Sequence, residues 1–226
     1  MMRSIVVLIL FFGFYGVQAQ NNKTEAIALE KQIINMAKYV GDPNVATLSM
    51  YKIIALEGEN STYKDSLAYV YFSSRRYAPS FMMASEVLKR DPKHKEMLEI
   101  KAASLESLGA YAKAAESYKE LFAETNNNFH GYSLAKLQFS TKKYEEAYKT
   151  LQKIEKLNDS GKYKVTFSIN QNHNQQVELL AAIYYLKGLT AKELNKIPEA
   201  KVCFEKAYKI QPDFILAKDQ LDDLNK

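Results

Sequence analysis

The residues best suited to chemistry in this sequence are three histidines and one cysteine, and their spacing does not form a catalytic or metal-binding set. His94, His130 and His173 fall in polar, turn-like segments, and none has a second histidine, a cysteine or paired carboxylates at a metal-site spacing. The chain also lacks a glycine-rich phosphate loop and a nucleophile with a local signature. Cys203 lies next to Phe204 in an apolar helical stretch, which predicts a packing residue. We therefore predict no enzymatic activity, no cofactor, no metal and no small-molecule substrate.

The charged residues argue against a nucleic-acid partner. The 226-residue chain has 31 Lys and Arg against 26 Asp and Glu, a formal net charge of +5. The two signs are interspersed, and the basic residues form no stripe interleaved with aromatics. A surface of this kind suits solubility, so charge does not indicate the partner.

The first nineteen residues resemble an export signal. A basic start at Arg3 precedes an uncharged stretch, 4–17, and Val17-Gln18-Ala19 offers small residues for cleavage before Gln20. The apolar run is about thirteen residues, whereas a spanning helix needs roughly 20. We predict a signal peptide over 1–19 and an exported protein, periplasmic, envelope-associated or secreted. The alternative is an uncleaved anchor, the one case in which we expect membrane contact.

The elements that organise the rest of the chain recur about every 34 residues. One position of each copy is small: Ala46, Ser80, Ala114, Ala147 and Ala200. Four positions later a mostly larger residue follows: Met50, Ala84, Tyr118, Leu151 and Phe204. A repeat of this length is typical of stacked helix pairs, in which small side chains let neighbouring helices approach.

Proline and glycine positions agree with that division into helices. Pro43, Pro79 and Pro198 stand at the predicted start of the second helix of a pair, where a missing N–H costs little. Pro92 and Pro212 follow its end. Gly41 and Gly109 lie in the predicted turn inside a pair.

These positions resemble the tetratricopeptide repeat family, whose pattern is clearest at Tyr184, Gly188, Ala200, Phe204, Ala207 and Pro212. The resemblance implies an all-α, right-handed superhelical solenoid of antiparallel helix pairs over 27–226, after a short linker, 20–26. The predicted repeats are 27–60, 61–94, 95–127, 128–161 and 181–214, the first of them a divergent capping repeat. Apolar residues at Phe214, Ala217, Leu221 and Leu224 predict a capping helix over 214–226.

An insert of nineteen residues, 162–180, interrupts the repeat. We favour a lengthened loop with an extra helical turn. Because residues 162–169 alternate like a strand, a projecting hairpin that contacts the partner is the alternative. A hydrolase with a site built around the insert is a further class of function, beside a protein-interaction scaffold and a self-assembling subunit.

The resemblance also implies which side chains face the inner wall of the solenoid. Those that we predict to bind a partner are Tyr69, Phe72, Phe129, Tyr132, Lys136, Phe139, Tyr185 and Lys192. Six exposed aromatics on one face are typical of an interface. The alternative is that the insert, the leader-proximal helix or a neighbouring chain covers them.

The predicted function is therefore a protein-interaction scaffold or adaptor in the bacterial periplasm or envelope. A peptide or protein segment of unknown identity is expected in the concave groove. A self-assembling structural subunit, in which solenoid ends or the aromatic wall meet another copy, is the alternative, so a homo-oligomer is possible.

Overall fold

The computed structural model describes residues 2–157 and 161–225, with side chains from Gln20 onward. The described residues form eleven helices and a two-stranded antiparallel sheet. The helices are α1 (Met2–Val40), α2 (Pro43–Glu57), α3 (Tyr63–Ser73), α4 (Tyr77–Arg90), α5 (Lys95–Ser107), α6 (Tyr111–Thr125), α7 (Asn128–Ser140), α8 (Tyr144–Ile154), α9 (Leu179–Glu193), α10 (Ile197–Ile210) and α11 (Ile215–Leu224). The strands are β1 (Lys164–Asn170) and β2 (His173–Glu178). The predicted all-α helical repeat solenoid is confirmed.

The chain divides into two compact units, 1–92 and 93–226. In the first unit α1 packs on α2, α2 on α3, and α3 on α4. In the second unit the same order of neighbours runs from α5 to α11, apart from the strands between α8 and α9. Each unit is therefore a stack of antiparallel helix hairpins.

Small residues let the helices within a unit nest, as their spacing predicts. Ala114, Ala147 and Ala200 are each fully buried. A Cβ added at Gly188 would lie 2.5 Å from Cε1 of Phe204, so α9 and α10 touch closely at this point. A Cβ at Gly131 would likewise collide with Ile154. Larger side chains at these positions would force the helices apart.

Local signals end and restart the helices. Gly41 and Gly109 both have φ of +75°, a left-handed conformation that favours glycine and turns the chain between helices. The carboxylate of Asp42 accepts hydrogen bonds from the backbone N–H of Asn44 and Val45, which caps α2. All five prolines lie in the first turn of a helix or just beyond its end, as predicted.

The N-terminal region differs from the prediction in one respect. Residues 20–26, predicted to be a linker, belong to α1, because no proline or glycine interrupts the chain between Gly16 and Gly41. Side chains of the predicted signal peptide, 1–19, lie outside the described set, as do Asp159 of the fourth repeat and Lys226 of the capping helix. Among the described residues, no helix combines the length and the apolar character that are needed to cross a membrane.

The favoured interpretation of the insert was wrong. Instead of a loop with an extra helical turn, it contains the antiparallel hairpin β1–β2, with Val165 opposite Val177 and Phe167 opposite Gln175. The alternation of polar and apolar residues in 164–170 decides this outcome. Its apolar members, Val165, Phe167 and Ile169, share one half-buried face.

The capping helix was predicted correctly. In α11 and the residue before it, Phe214 and Ala217 are fully buried. Lys218, Asp219 and Asp222 are exposed. Charged residues therefore cover the outer surface of the last helix.

Candidate functional site: the hairpin and its free edge

The hairpin is fixed to the second unit by aromatic packing. Phe167 of β1 meets Tyr185 of α9 edge-on, with ring centroids 5.6 Å apart. It also lies 5.2 Å from the ring of Phe214, which is itself 5.0 Å from Tyr185. Three aromatic side chains from the strand, from α9 and from the start of α11 thus form one cluster.

Two glutamines add polar anchors to this packing. Gln175 of β2 donates to the carbonyl of Asp213 at 2.5 Å and accepts from the N–H of Ile215 at 3.2 Å. Gln211, at the end of α10, accepts from the N–H of Glu178 at 2.9 Å and donates to the carbonyl of Gln176 at 3.1 Å. The outer edge of β2 therefore has its backbone groups bonded to the helical part of the unit.

The outer edge of β1 is different. Leu179 N–H donates to the carbonyl of Tyr163, and paired positions alternate between bonded and non-bonded in an antiparallel ladder. Lys164, Thr166 and Ser168 consequently direct their backbone groups away from β2, opposite Glu178, Gln176 and Asn174. In the described part of the chain these outward groups form no backbone hydrogen bond. We call these three residues the free edge.

Two of the predicted binding residues are not accessible. Tyr132 and Tyr185 are buried, and burial raises the pKa of both phenols. Tyr185 is covered by Phe167 of the hairpin, an outcome that the sequence left open as an alternative. The prediction that these two tyrosines form an exposed wall was wrong: both are buried, and for Tyr185 the insert supplies part of the cover.

The other aromatics of the second unit are also partnered. Phe129 stacks on Tyr163, just before β1, with centroids 4.8 Å apart and planes at 20°. Phe139 packs against Tyr144 at 5.4 Å. Both remain half-buried. The insert therefore covers Phe129 through Tyr163 and Tyr185 through Phe167, whereas Phe139 packs within its own repeat.

The two predicted lysines form contacts within the chain. Lys136 Nζ lies 2.6 Å from Oε1 of Glu106, and its side chain is still 45% exposed. Lys192 donates to Oε1 of Gln220 at 2.7 Å. A partner could recruit Lys136 at the surface, whereas Lys192 helps to hold α11.

Tyr69 and Phe72 belong to the first unit. Tyr69 is exposed, and Phe72 is half-buried with its ring 5.8 Å from that of Tyr77. They lie on α3, three residues apart, so they share one helix face. Among the six predicted aromatics, Tyr69 presents the most open surface.

Reactive side chains elsewhere are held in packing roles. Lys187 donates to Oε1 of Glu155 at 2.7 Å, and both side chains are largely buried. Cys203 is buried nearby, and burial raises the pKa of its thiol, which favours the protonated form. His130 bonds the hydroxyl of Thr125 at 2.8 Å, and burial lowers its pKa. Within the residues that the structure places, no three His, Cys, Asp or Glu side chains group as metal ligands.

Known proteins share this fold. The tetratricopeptide repeat family profile matches residues 181–214. The crystal structure of YrrB, described as "a TPR protein with an unusual peptide-binding site", superposes with a TM-score of 0.66 at 18% identity, over 88% of this chain and 96% of that one. A crystal structure of MamA gives 0.64 at 15%, over 82% and 92%. A tetratricopeptide repeat protein from Parabacteroides merdae gives 0.64 at 16%, over 88% and 72%. No curated protein sequence matches the chain significantly.

Residues 181–214 are thus a tetratricopeptide repeat, and the chain has the fold of tetratricopeptide-repeat proteins. The hairpin between α8 and α9 is the feature that its 34-residue pattern did not specify. The strand-like alternation of 162–169 was the sequence signal that pointed to it.

Proposed function

We propose that this protein is a protein-binding scaffold of the bacterial periplasm or envelope, and that an extended segment of its partner docks along the free edge. The observation that carries the proposal is the row of unpaired backbone groups on Lys164, Thr166 and Ser168. The helical part of the second unit supplies a platform for that row, because Gln175 and Gln211 bond the hairpin to it.

An extended segment suits this edge because of its length and composition. β1 has seven residues, without proline. Proteins usually protect such edges with proline, several charges or a covering element, since an open edge invites pairing. A partner strand would gain backbone hydrogen bonds here, and its alternate side chains would meet either the polar or the apolar face of the hairpin.

The surroundings of the edge add side-chain anchors. Val165 and Ile169 are half-buried on the apolar face of β1. Phe129 and Tyr163 form a half-exposed stack next to its first residue. These groups offer a docked segment apolar contacts at both ends of the strand. That YrrB is described as having a peptide-binding site supports this use of the fold.

Export forms the second half of the proposal. The basic start, the short apolar run and Val17-Gln18-Ala19 support removal of residues 1–19 during transport. Mass spectrometry of the protein recovered from the periplasm of its bacterium should give a chain that begins at Gln20. A full-length chain in the cytoplasmic fraction would contradict this part.

The free edge can be tested with one matched pair of variants. The backbone N–H of Thr166 faces outward, so Thr166→Pro removes a docking donor without removing a β1–β2 hydrogen bond. Thr166→Val keeps that donor. Both variants lose the hydrogen bond from Gln176 to the Thr166 hydroxyl, so the comparison isolates the backbone.

A photo-crosslinking residue at the exposed Ser168 position reports on binding in the living cell. We expect a defined partner adduct that persists with Thr166→Val and falls at least about tenfold with Thr166→Pro, as expected for a lost hydrogen bond and added steric conflict. Circular dichroism should show both variants folded. An adduct of equal yield with proline at 166 would overturn the proposed docking mode.

A further inference from the structure

The outer face of the first helix pair is apolar and uncovered. On α1, residues at i, i+4, i+7 and i+11 share one side of the helix: Leu29, Ile33, Met36 and Val40. Met36 is 70% exposed, and Leu29 and Leu48 are each 57% exposed. Val40, the last residue of α1, is 66% exposed, and Val45, in the first turn of α2, is 40% exposed. We call Leu29, Ile33, Met36, Val40, Val45 and Leu48 the outer patch.

Neighbouring faces of the same helices are already in use. Ile34 and Ala37 of α1 are buried, and Ile34 joins Met50, Ile53, Leu67 and Tyr71 in the core of the first unit. The core therefore accounts for one apolar stripe on each helix. The outer patch is a second stripe, which the fold of a single chain does not require.

The leader does not cover the outer patch. If residues 1–19 are removed, they are absent from the mature protein. If they stay, α1 runs as one helix from Met2 to Val40, so the leader continues along the helix axis and does not fold back over the patch. In the described part of the chain the residues of the patch remain exposed, so a second molecule can occupy it.

The charge around the patch favours a copy of the same surface. The stripe on α1 contains no charged residue. On α2, Lys52 stands at i+7 from Val45 and therefore lies on the same side of the helix. Its charge is paired with that of Glu30 on α1, at 2.9 Å. A neutral face offers no selection for an acidic or basic partner, and it meets its own copy without repulsion.

Shape and area point the same way. In a repeat stack each internal helix pair packs against a neighbouring pair on two sides, whereas the first pair has a neighbour on one side only. Five residues of the patch are at least 40% exposed, and exposed apolar patches larger than roughly a few hundred Å² mark interaction sites. Each partner of a stable complex buries roughly 800 Å², so the interface would include a polar rim around the patch.

We propose that two copies of this chain associate through the outer patch, with a two-fold axis between their α1–α2 pairs. In such an arrangement each residue of the patch contacts the same surface of the other copy, so one apolar stripe satisfies both partners. The contact is separate from the free edge of β1, and either proposal can fail without the other.

Sedimentation of the mature protein tests the inference. We expect a dimer whose dissociation constant rises at least about a hundredfold in the Leu29→Lys, Leu48→Lys double variant, since each dimer then buries four lysines in place of leucines. The matched control is Leu108→Lys with Val202→Lys, two residues of similar exposure (48% each) outside the patch, which should leave the dimer intact. All these side chains are exposed, so folding should survive in every variant.

Each other outcome overturns the proposal. A monomeric wild-type protein at the highest concentration reached would exclude the dimer. A monomer that floats with anionic phospholipid vesicles, and loses flotation in the Leu29→Lys, Leu48→Lys variant, would assign the patch to a membrane surface instead. Equal weakening by the control pair would show that the interface lies elsewhere.

Discussion

The first helix pair and the last helix of this protein expose different kinds of side chain to solvent. At the C-terminal end, Phe214 and Ala217 are fully buried, and Lys218 and Asp222 face outward. A terminal element with a charged exterior closes a repeat stack. The last helix therefore acts as a cap.

The N-terminal pair has the inward packing of a cap without its polar exterior. Its inner stripe joins the core of the first unit, and its outer patch exposes leucine, methionine and valine. A helix stack needs a polar end to stay soluble alone. The last helix gives the C-terminal end such a surface, and the proposed dimer would cover the N-terminal one. We call these the closed end and the open end.

The largest expected effect is at the closed end. Phe214→Ala should lower the free energy of unfolding by about 3–5 kcal/mol, because it empties a fully buried aromatic site beside Tyr185 and Phe167. Leu29→Ala at the open end should change it by no more than about 0.5 kcal/mol when measured on the monomer. Urea unfolding at low protein concentration compares the two; similar losses would remove the distinction between the ends.

Replacing charged residues of the last helix by leucine should cause self-association at the C-terminal end. Lys218→Leu with Asp222→Leu places two leucines one turn apart on the exposed face of α11. We expect new species of higher mass in sedimentation, with roughly 1.5–3 kcal/mol of association free energy for each leucine buried. An unchanged mass distribution would mean that the charged side chains of α11 do not prevent self-association at the C-terminal end.

A smaller effect is expected for the two tyrosines that link α2 to α3. The hydroxyls of Tyr51 and Tyr71 lie 2.8 Å apart, and burial together with this bond raises the pKa of Tyr51 to about 12. Tyr71→Phe should lower the free energy of unfolding by about 1 kcal/mol. It should leave self-association unchanged, because Tyr71 lies on α3 in the core of the first unit and not in the outer patch. Chemical denaturation and sedimentation on one sample separate these outcomes. A loss of association would place Tyr71 in the interface.

The repeat architecture was predictable because small and large residues alternate at fixed intervals. Ala114, Ala147 and Ala200 are buried as their spacing requires, and Gly188 shows why the pattern demands a small residue there. The identity of α11 as a cap followed from the same periodicity, with charges on the remaining positions.

The inner wall could not be predicted to the same depth. Repeat positions identify which side chains face inward, and they do not show that 164–178 folds over them as a hairpin. Phe167 covers Tyr185 through a contact between residues distant in sequence, and Gln211 fixes β2 through two side-chain hydrogen bonds. Such contacts depend on tertiary structure that a 34-residue period does not encode.

The smallest effect is expected when the pH is lowered, through protonation of Glu30 on α1. Hydrogen bonds from Ser49 and Lys52, with the charge of Lys52, hold the pKa of Glu30 below its ordinary value. The bonded carboxylate therefore adds stability above about pH 4.3, the unfolded value, and this is lost as pH falls through the lower folded pKa. Glu30→Gln should flatten that acid-side decline in urea midpoints. An identical pH profile would show that Glu30 does not link α1 to α2.

The most direct test of the difference between the two ends is hydrogen–deuterium exchange of the wild-type protein at two concentrations, one above and one below the dimer's dissociation constant. Amides of α1 and α2 should gain protection as concentration rises, while those of α10 and α11 should exchange at the same rate in both samples. Protection that is independent of concentration in α1 and α2, or that rises equally in α10 and α11, would contradict the account.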